Sequence, residues 1–300
     1  MLIASLIVLA VAALSGAGVY TLGVRSQRPR RKPVDAFPSM PWEDVSWTSG
    51  GQTICGWFIP APANRQQRHA EADSLPPLII IAHGWGSSRA SMLRYIPHLH
   101  EAGYALLCGD ARGHGASGDA PSASGVTFSE DVRATLDYAS SRTDIDQTRI
   151  GVLGHSLGAF AGVLALAGGE TRVRALVTDA MPARMGSMIA SELTRRGLPK
   201  FPLVPLIGVV WKLRNRIPRE AYDLPGVIDS SETPLLLIHS RNDDFIPSSE
   251  LDYVLERVNR PVECLYVDCA GHSSSASEQA FWERSLPFFS RHLRGDAGQG

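Results

Sequence analysis

The pentapeptide Gly154-His155-Ser156-Leu157-Gly158 sets a serine between two glycines at the spacing G-x-S-x-G. A serine there can attack a carbonyl carbon, provided a base takes its proton, because the hydroxyl alone is a weak nucleophile. The spacing by itself carries little weight. With 28 glycines in 300 residues, chance supplies roughly 0.3 such matches in a chain this long. Its partners would follow in the order acid and then histidine, each on a loop after a later strand. His272, in Ala270-Gly271-His272-Ser273, lies just past the apolar run Leu265 to Val267 and fits that place. The other histidines fit less well: His69, His83, His98, His100, His114 and His155 precede the serine, His239 ends a strand, and His292 belongs to a terminal helix.

Three carboxylates compete for the third role. Asp243 is the first choice, in the turn Ser240-Arg241-Asn242-Asp243-Asp244-Phe245-Ile246-Pro247 after the strand Leu235 to His239. Asp244 could serve from the same turn, and Asp179 from the end of an adjacent strand. Acyl transfer also needs backbone amides aimed at the developing oxyanion. The Leu157 amide, directly after the serine, is one candidate. Trp85 in His83-Gly84-Trp85-Gly86 is the other, since the glycines beside it let backbone approach a ligand closely.

These residues need a scaffold that ends its strands at one edge. Ile150 to Leu153 reads as a strand leading into the pentapeptide, and Ala159 to Ala167 as a small, apolar helix leading out. That is the setting in which a sharp turn exposes a serine at a helix N-terminus, where the dipole favours negative charge. Further strands are expected at Gln52 to Ile59, Leu78 to Ala82, Ala105 to Cys108, Val173 to Thr178, Pro234 to His239 and Val262 to Val267. Helices are expected at Ser88 to Ala102, Ser129 to Ser141 and Ser277 to Leu293. Alternation of this kind predicts an α/β fold with a doubly wound, mostly parallel sheet. Met181 to Ile228 breaks the rhythm with the apolar run Phe201 to Trp211 and interspersed basic residues. It is expected to form a helical cap over the site, the alternative being a helical layer on the sheet without substrate contact. Pro62 to Pro77 reads as a surface loop.

Met1 to Val24 holds no charged side chain and as a helix would span roughly 36 Å, enough to cross a bilayer core. Arg25, Arg28, Arg30, Arg31 and Lys32 follow directly. The expectation is a single-pass transmembrane anchor over residues 1–24, with the basic flank and the catalytic domain cytoplasmic. The competing reading is a signal peptide cleaved near Ser15-Gly16-Ala17, leaving an exported enzyme. Residues 25–44 read as a basic, Pro-rich linker, 45–294 as the catalytic domain with its insertion at about 181–228, and 295–300 as a flexible tail.

A formal net charge of -1 gives no electrostatic footprint for nucleic acid. Cys55, Cys108, Cys264 and Cys269 lack zinc-type spacing and read as buried free thiols rather than disulfides. No metal or organic cofactor is implied, and the sequence leaves oligomeric state open.

His83-Gly84-Trp85-Gly86, Gly109-Asp110-Ala111-Arg112-Gly113-His114-Gly115-Ala116-Ser117-Gly118, Gly154 to Gly158, the Asp243 turn and Gly271-His272 together resemble the α/β-hydrolase superfamily across residues 45 to 294. Within it the chain is similar to membrane-anchored and prolyl-oligopeptidase-like serine hydrolases. The second piece resembles the family's D-x-R-G-x-G-x-S turn, whose role there is mainly structural. Ser240 departs from the pattern, standing where many relatives have glycine. The resemblance implies a nucleophile elbow at Ser156 and a serine hydrolase, but the fold hosts many substrates. The expected function is cleavage of carboxylic esters, lipid-like or acyl, through an acyl-enzyme on Ser156. A serine peptidase or aminoacyl hydrolase is the enzymatic alternative, and a membrane-anchored binding scaffold the non-enzymatic one.

Overall fold

Alternating side chains along Leu78-Ile79-Ile80-Ile81 point to opposite faces of a sheet, and each face finds its own core. The computed structural model describes residues 16–63, 75–215 and 217–295. Eight strands form one sheet in the order β1-β2-β4-β3-β5-β6-β7-β8: β1 Glu43–Ser49, β2 Gln52–Ile59, β3 Pro77–Ala82, β4 Ala105–Gly109, β5 Asp146–His155, β6 Val173–Asp179, β7 Leu235–Asn242 and β8 Glu263–Ala270. β2 runs antiparallel to both neighbours, and the other pairings are parallel.

Leu78 and Ile80 face a core shared with helices α3 (Gly125–Ala139), α4 (Leu157–Ala165), α7 (Leu224–Ser230) and α8 (Ser249–Leu255). Ile79 and Ile81 face the opposite core, closed by α2 (Ile96–Glu101) and α9 (Gln279–Leu293) through Ile96, Leu99, Phe281, Phe288 and Phe289. Burying both faces is why these strands are continuously apolar.

Local chemistry sets several boundaries away from the sequence expectations. The β1–β2 hairpin was not foreseen. It turns at Gly50-Gly51, both at positive φ, as a two-residue hairpin requires. α3 starts at Gly125 because Ser124 and Thr127 form a reciprocal cap before it. The stretch from Ser88 becomes a 3-10 turn, Arg89–Arg94, followed by α2. Cys108 and Cys269 are buried, whereas Cys55 is half-buried and Cys264 exposed; all four are free thiols.

The insertion between β6 and β7 divides in two. α5 (Met185–Arg195) and α6 (Leu203–Asn215) share a small cluster of Ile189, Leu193 and Ile207 apart from the main cores. The returning residues Ile217, Ala221, Leu224 and Ile228 belong to the body of the fold. Glu250, fully buried at the start of α8, ties the insertion's first turn to the body. It accepts from the amides of Ala183 and Arg184, both at 2.9 Å, from the Arg184 guanidinium and from the Ser187 hydroxyl.

The expected membrane anchor, with its cytoplasmic catalytic domain, is corrected. No helix among the described residues is long and apolar enough to cross a membrane. The described part of the expected span belongs to a helix over residues 16–26 (α1) that packs on protein. Its Leu22 joins the α5–α6 cluster, and a Cβ on Gly23 would lie 2.7 Å from a Val210 methyl. Residues 1–15 of that span, 64–74 of the expected surface loop and 296–300 of the expected tail lie outside the described residues.

Candidate active site

Ser156 sits at the turn from β5 into α4 with φ 53° and ψ -120°, a conformation that only a tightly determined surrounding holds in a non-glycine residue. The glycines on either side make it possible. A Cβ on Gly154 would lie 2.5 Å from the Ala159 Cα, and one on Gly158 would lie 2.3 Å from the Ala82 carbonyl oxygen. The Ser156 amide donates to the Asp179 carbonyl at 2.8 Å, locking the turn to the end of β6.

The structure brings Ser156, His272 and Asp243 together. Ser156 Oγ is 2.8 Å from His272 Nε2, and His272 Nδ1 is 2.7 Å from Asp243 Oδ2. A carboxylate can only accept, so Nδ1 carries the ring proton and Nε2 is left to accept from the serine hydroxyl. Asp243 Oδ1 accepts from the amides of Phe245 and Ile246, both at 2.8 Å. Burial alone would raise this carboxyl, but His272 and the two amides outweigh it and hold Asp243 below its ordinary range.

The competing acids stand elsewhere. Asp244 is exposed. Asp179 is wholly buried behind the neighbouring histidine, His155, with Nδ1 and Oδ2 3.4 Å apart, and it accepts from the Tyr95 hydroxyl. Ser240, the departure from the family pattern, builds the acid turn: its hydroxyl donates to the Cys269 carbonyl and accepts from the Asn242 amide.

Leu157 is the first residue of α4, where helical amides have no internal acceptor. Trp85 lies on the turn after β3, and both residues line the same cavity as Ser156 and His272. Gly84 approaches so closely that a Cβ there would lie 3.0 Å from the Ser156 Cβ. The next amide, Gly86, is occupied, donating to His114 Nε2 at 3.0 Å. Among the described residues the Trp85 and Leu157 amides have no such acceptor.

The loop after β4 supports that turn from behind. Asp110 is buried and accepts from the Arg89 amide at 2.6 Å and the Ala116 amide at 2.9 Å, while pairing with the Arg89 guanidinium. His83 Nε2 accepts from the Ala111 amide at 2.9 Å. His114 is neutral in this packing, its Nε2 accepting from the Gly86 amide and burial pushing it down to about 3.

The sequence reading missed His155. It lines the cavity, its ring lies 5.0 Å from that of His272, and its Nε2 stands 3.4 Å from the Ser273 hydroxyl. Burial lowers it to about 4 against the pull of Asp179. The signal was available in the register, which pairs His155 at the end of β5 with Asp179 at the end of β6.

The cavity holds about 1020 Å³. Its floor is the strand edge carrying Ser156 and His272, and α5 and α6 wall it through Met188, Ile189, Leu193, Ile207 and Trp211.

A family model described as the α/β hydrolase fold matches residues 77–205. The esterase Pf2001 of Pyrococcus furiosus superposes with a TM-score of 0.69 at 25% identity, covering 89% of this chain and 97% of that one. The chain belongs to the α/β-hydrolase superfamily. Among its relatives in the superfamily, the uncharacterized protein YqkD of Bacillus subtilis is 30% identical over 202 residues, which are 66% of this chain and 65% of that protein. The α/β hydrolase domain-containing protein WAV2 of Arabidopsis thaliana is 27% identical over 190 residues, 60% of this chain and 59% of that protein.

Proposed function

We propose that this chain is a serine esterase that cleaves carboxylic esters, with an apolar acyl chain, through an acyl-enzyme on Ser156. The observation that carries the reading is the unbroken relay from Ser156 Oγ through His272 to Asp243 at 2.8 and 2.7 Å. His272 takes the serine proton as Oγ adds to the ester carbonyl, and passes it to the departing alkoxide. Asp243 keeps the ring in the accepting tautomer and stabilises the imidazolium that forms. The amides of Leu157 and Trp85 bind the oxyanion, each such donor being worth about 100- to 1,000-fold in kcat. A water, deprotonated by His272, then releases the acid.

The buried part of the cap wall, Ile189, Leu193 and Ile207, supports an apolar acyl group, whereas the cap's basic residues on the cavity, Arg195, Arg196 and Lys200, are exposed. Of the carboxylates that line the cavity, Glu192 is held by Arg195 and Arg196 and Asp243 by His272, which leaves the exposed Asp244 as the acid that a peptidase would offer a free amine. The test is hydrolysis of p-nitrophenyl esters together with labelling by a fluorophosphonate probe. The reading expects both, and expects Ser156→Ala to lose both; turnover that survives in Ser156→Ala, or a wild type that neither labels nor hydrolyses, would remove it.

A further inference from the structure

The cavity has a wall that the catalytic reading does not use. Leu22 and Ser26 of α1, with Lys32 beyond it, line the same space as Ser156 and His272. They come from the N-terminal end of the chain, far in sequence from the body that carries the chemistry.

Several independent contacts lock this segment across the cap. The Trp211 indole N–H donates to the Gly23 carbonyl at 3.2 Å and to the Ser26 hydroxyl at 2.9 Å. Gly23 lets the two helices approach at Val210, where a side chain would collide. Gln27 is completely buried, and its Oε1 accepts from Arg214 of α6 at 3.0 Å and from Ser122 of the body at 2.9 Å. Arg31 then reaches the loop after β4, donating to the Ser117 carbonyl at 2.6 Å and pairing with Asp119. The segment therefore grips α6 on one side and the body on the other.

Leu22 matters most for substrate. The α5–α6 cluster buries only Ile189, Leu193 and Ile207, and Leu22 packs against it while also facing the cavity. We infer that residues 16–32 form a wall of the acyl-binding cavity, and that Leu22 sets how long an acyl chain the enzyme accepts. This rests on the ester reading above. It assigns residues 16–32 a substrate-binding role.

The test uses the full chain and a series of p-nitrophenyl esters from butyrate to decanoate, read as the ratio of kcat/KM for long over short. Each methylene that loses its buried place lowers the ratio about fourfold. Leu22→Trp fills the space, so the decanoate-to-butyrate ratio falls at least tenfold. Leu22→Ala opens it and moves the optimum to longer chains. Gln27→Ala, which loosens the grip without facing the cavity, shifts the ratio in the same direction as Leu22→Ala. Ratios that move less than twofold in both Leu22 variants overturn the inference while leaving the esterase standing. Labelling of Ser156 by short- and long-chain alkyl fluorophosphonates separates the two ideas. If wild type hydrolyses no ester but prefers one probe length, and Leu22→Trp removes that preference, the wall stands and the ester reading fails. Leu22→Ala, a deletion at a half-exposed site, secures the result should Leu22→Trp not fold.

Discussion

Replacing Asp243 with asparagine changes one atom and should nearly abolish turnover. The Asp243 side chain is fully shielded from solvent, so its hydrogen bonds cannot be replaced by water. Oδ1 is claimed by the amides of Phe245 and Ile246, and the asparagine carbonyl will take that position because only an acceptor satisfies them. Its NH2 group then faces His272 Nδ1. Two donors cannot face each other, so the ring moves its proton to Nε2, where it can no longer accept from Ser156. Loss of a charge-assisted hydrogen bond costs about 3 kcal/mol, and the wrong tautomer with an unstabilised imidazolium adds about 2 kcal/mol more. The sum corresponds to a fall in kcat of about 5,000-fold, within a few-fold of the effect of this substitution in the serine protease triad. KM should change little, since Asp243 binds no substrate. Steady-state hydrolysis of a p-nitrophenyl ester measures both constants. Asp244→Asn, on an exposed side chain in the same turn, should stay within about threefold of wild type. A loss below tenfold in Asp243→Asn, or an equal loss in Asp244→Asn, would refute the assignment of the acid.

Gly158→Ala places a methyl 2.3 Å from the Ala82 carbonyl oxygen, backbone that cannot swing away; a destabilisation of about 2–3 kcal/mol should appear as a lower midpoint in urea melts, with activity lost in parallel. Glu250→Ala leaves two amides and the partly exposed Arg184 at the base of the cap without their acceptor. It should cost about 2 kcal/mol and raise KM for long acyl esters more than for short ones, as ester kinetics would reveal. Acid should weaken the fold through His155 and His114, which stay neutral down to about 4 and about 3. An unfolded histidine takes its proton near pH 6.5, so below that pH the unfolded state binds more protons. Stability is then full above pH 6.5 and declines as pH falls toward 4, by up to ~1.4 kcal/mol per unit for each histidine. Urea melts across that range should show the decline, and His114→Asn should flatten it.

Much of the site was legible because its parts are local. Gly154, Gly158 and the strand before them identify the turn from type and order alone, and His272 is the histidine that follows a late strand. Choosing Asp243 over Asp244 was harder, since neighbours in one turn differ only in direction. The Phe245 and Ile246 amides decide it, and nothing in the sequence shows where those amides point. β1 escaped because Glu43–Ser49 is largely polar; the Gly50-Gly51 pair was the usable sign. β3, β4 and the first part of β7 were legible because burial on both faces makes them uninterrupted apolar runs. The error at the N-terminus has a physical cause as well. A run without charge or clear period is compatible with lipid and with a protein groove alike, and hydropathy cannot separate the two. Only the partners of Leu22, Gly23 and Gln27, which lie between 95 and 188 residues away, identify the groove. The cap was visible as an interruption, but its return to the body at Ile217 to Ile228 depends on tertiary contacts.

The central claim is an acyl group carried on Ser156, and intact-protein mass spectrometry tests it most directly. Acid quenching during turnover of a p-nitrophenyl ester should yield protein heavier by one acyl group, with the adduct on the peptide containing Ser156 and none in Ser156→Ala. Turnover with no adduct, or an adduct that persists in Ser156→Ala, would contradict the account.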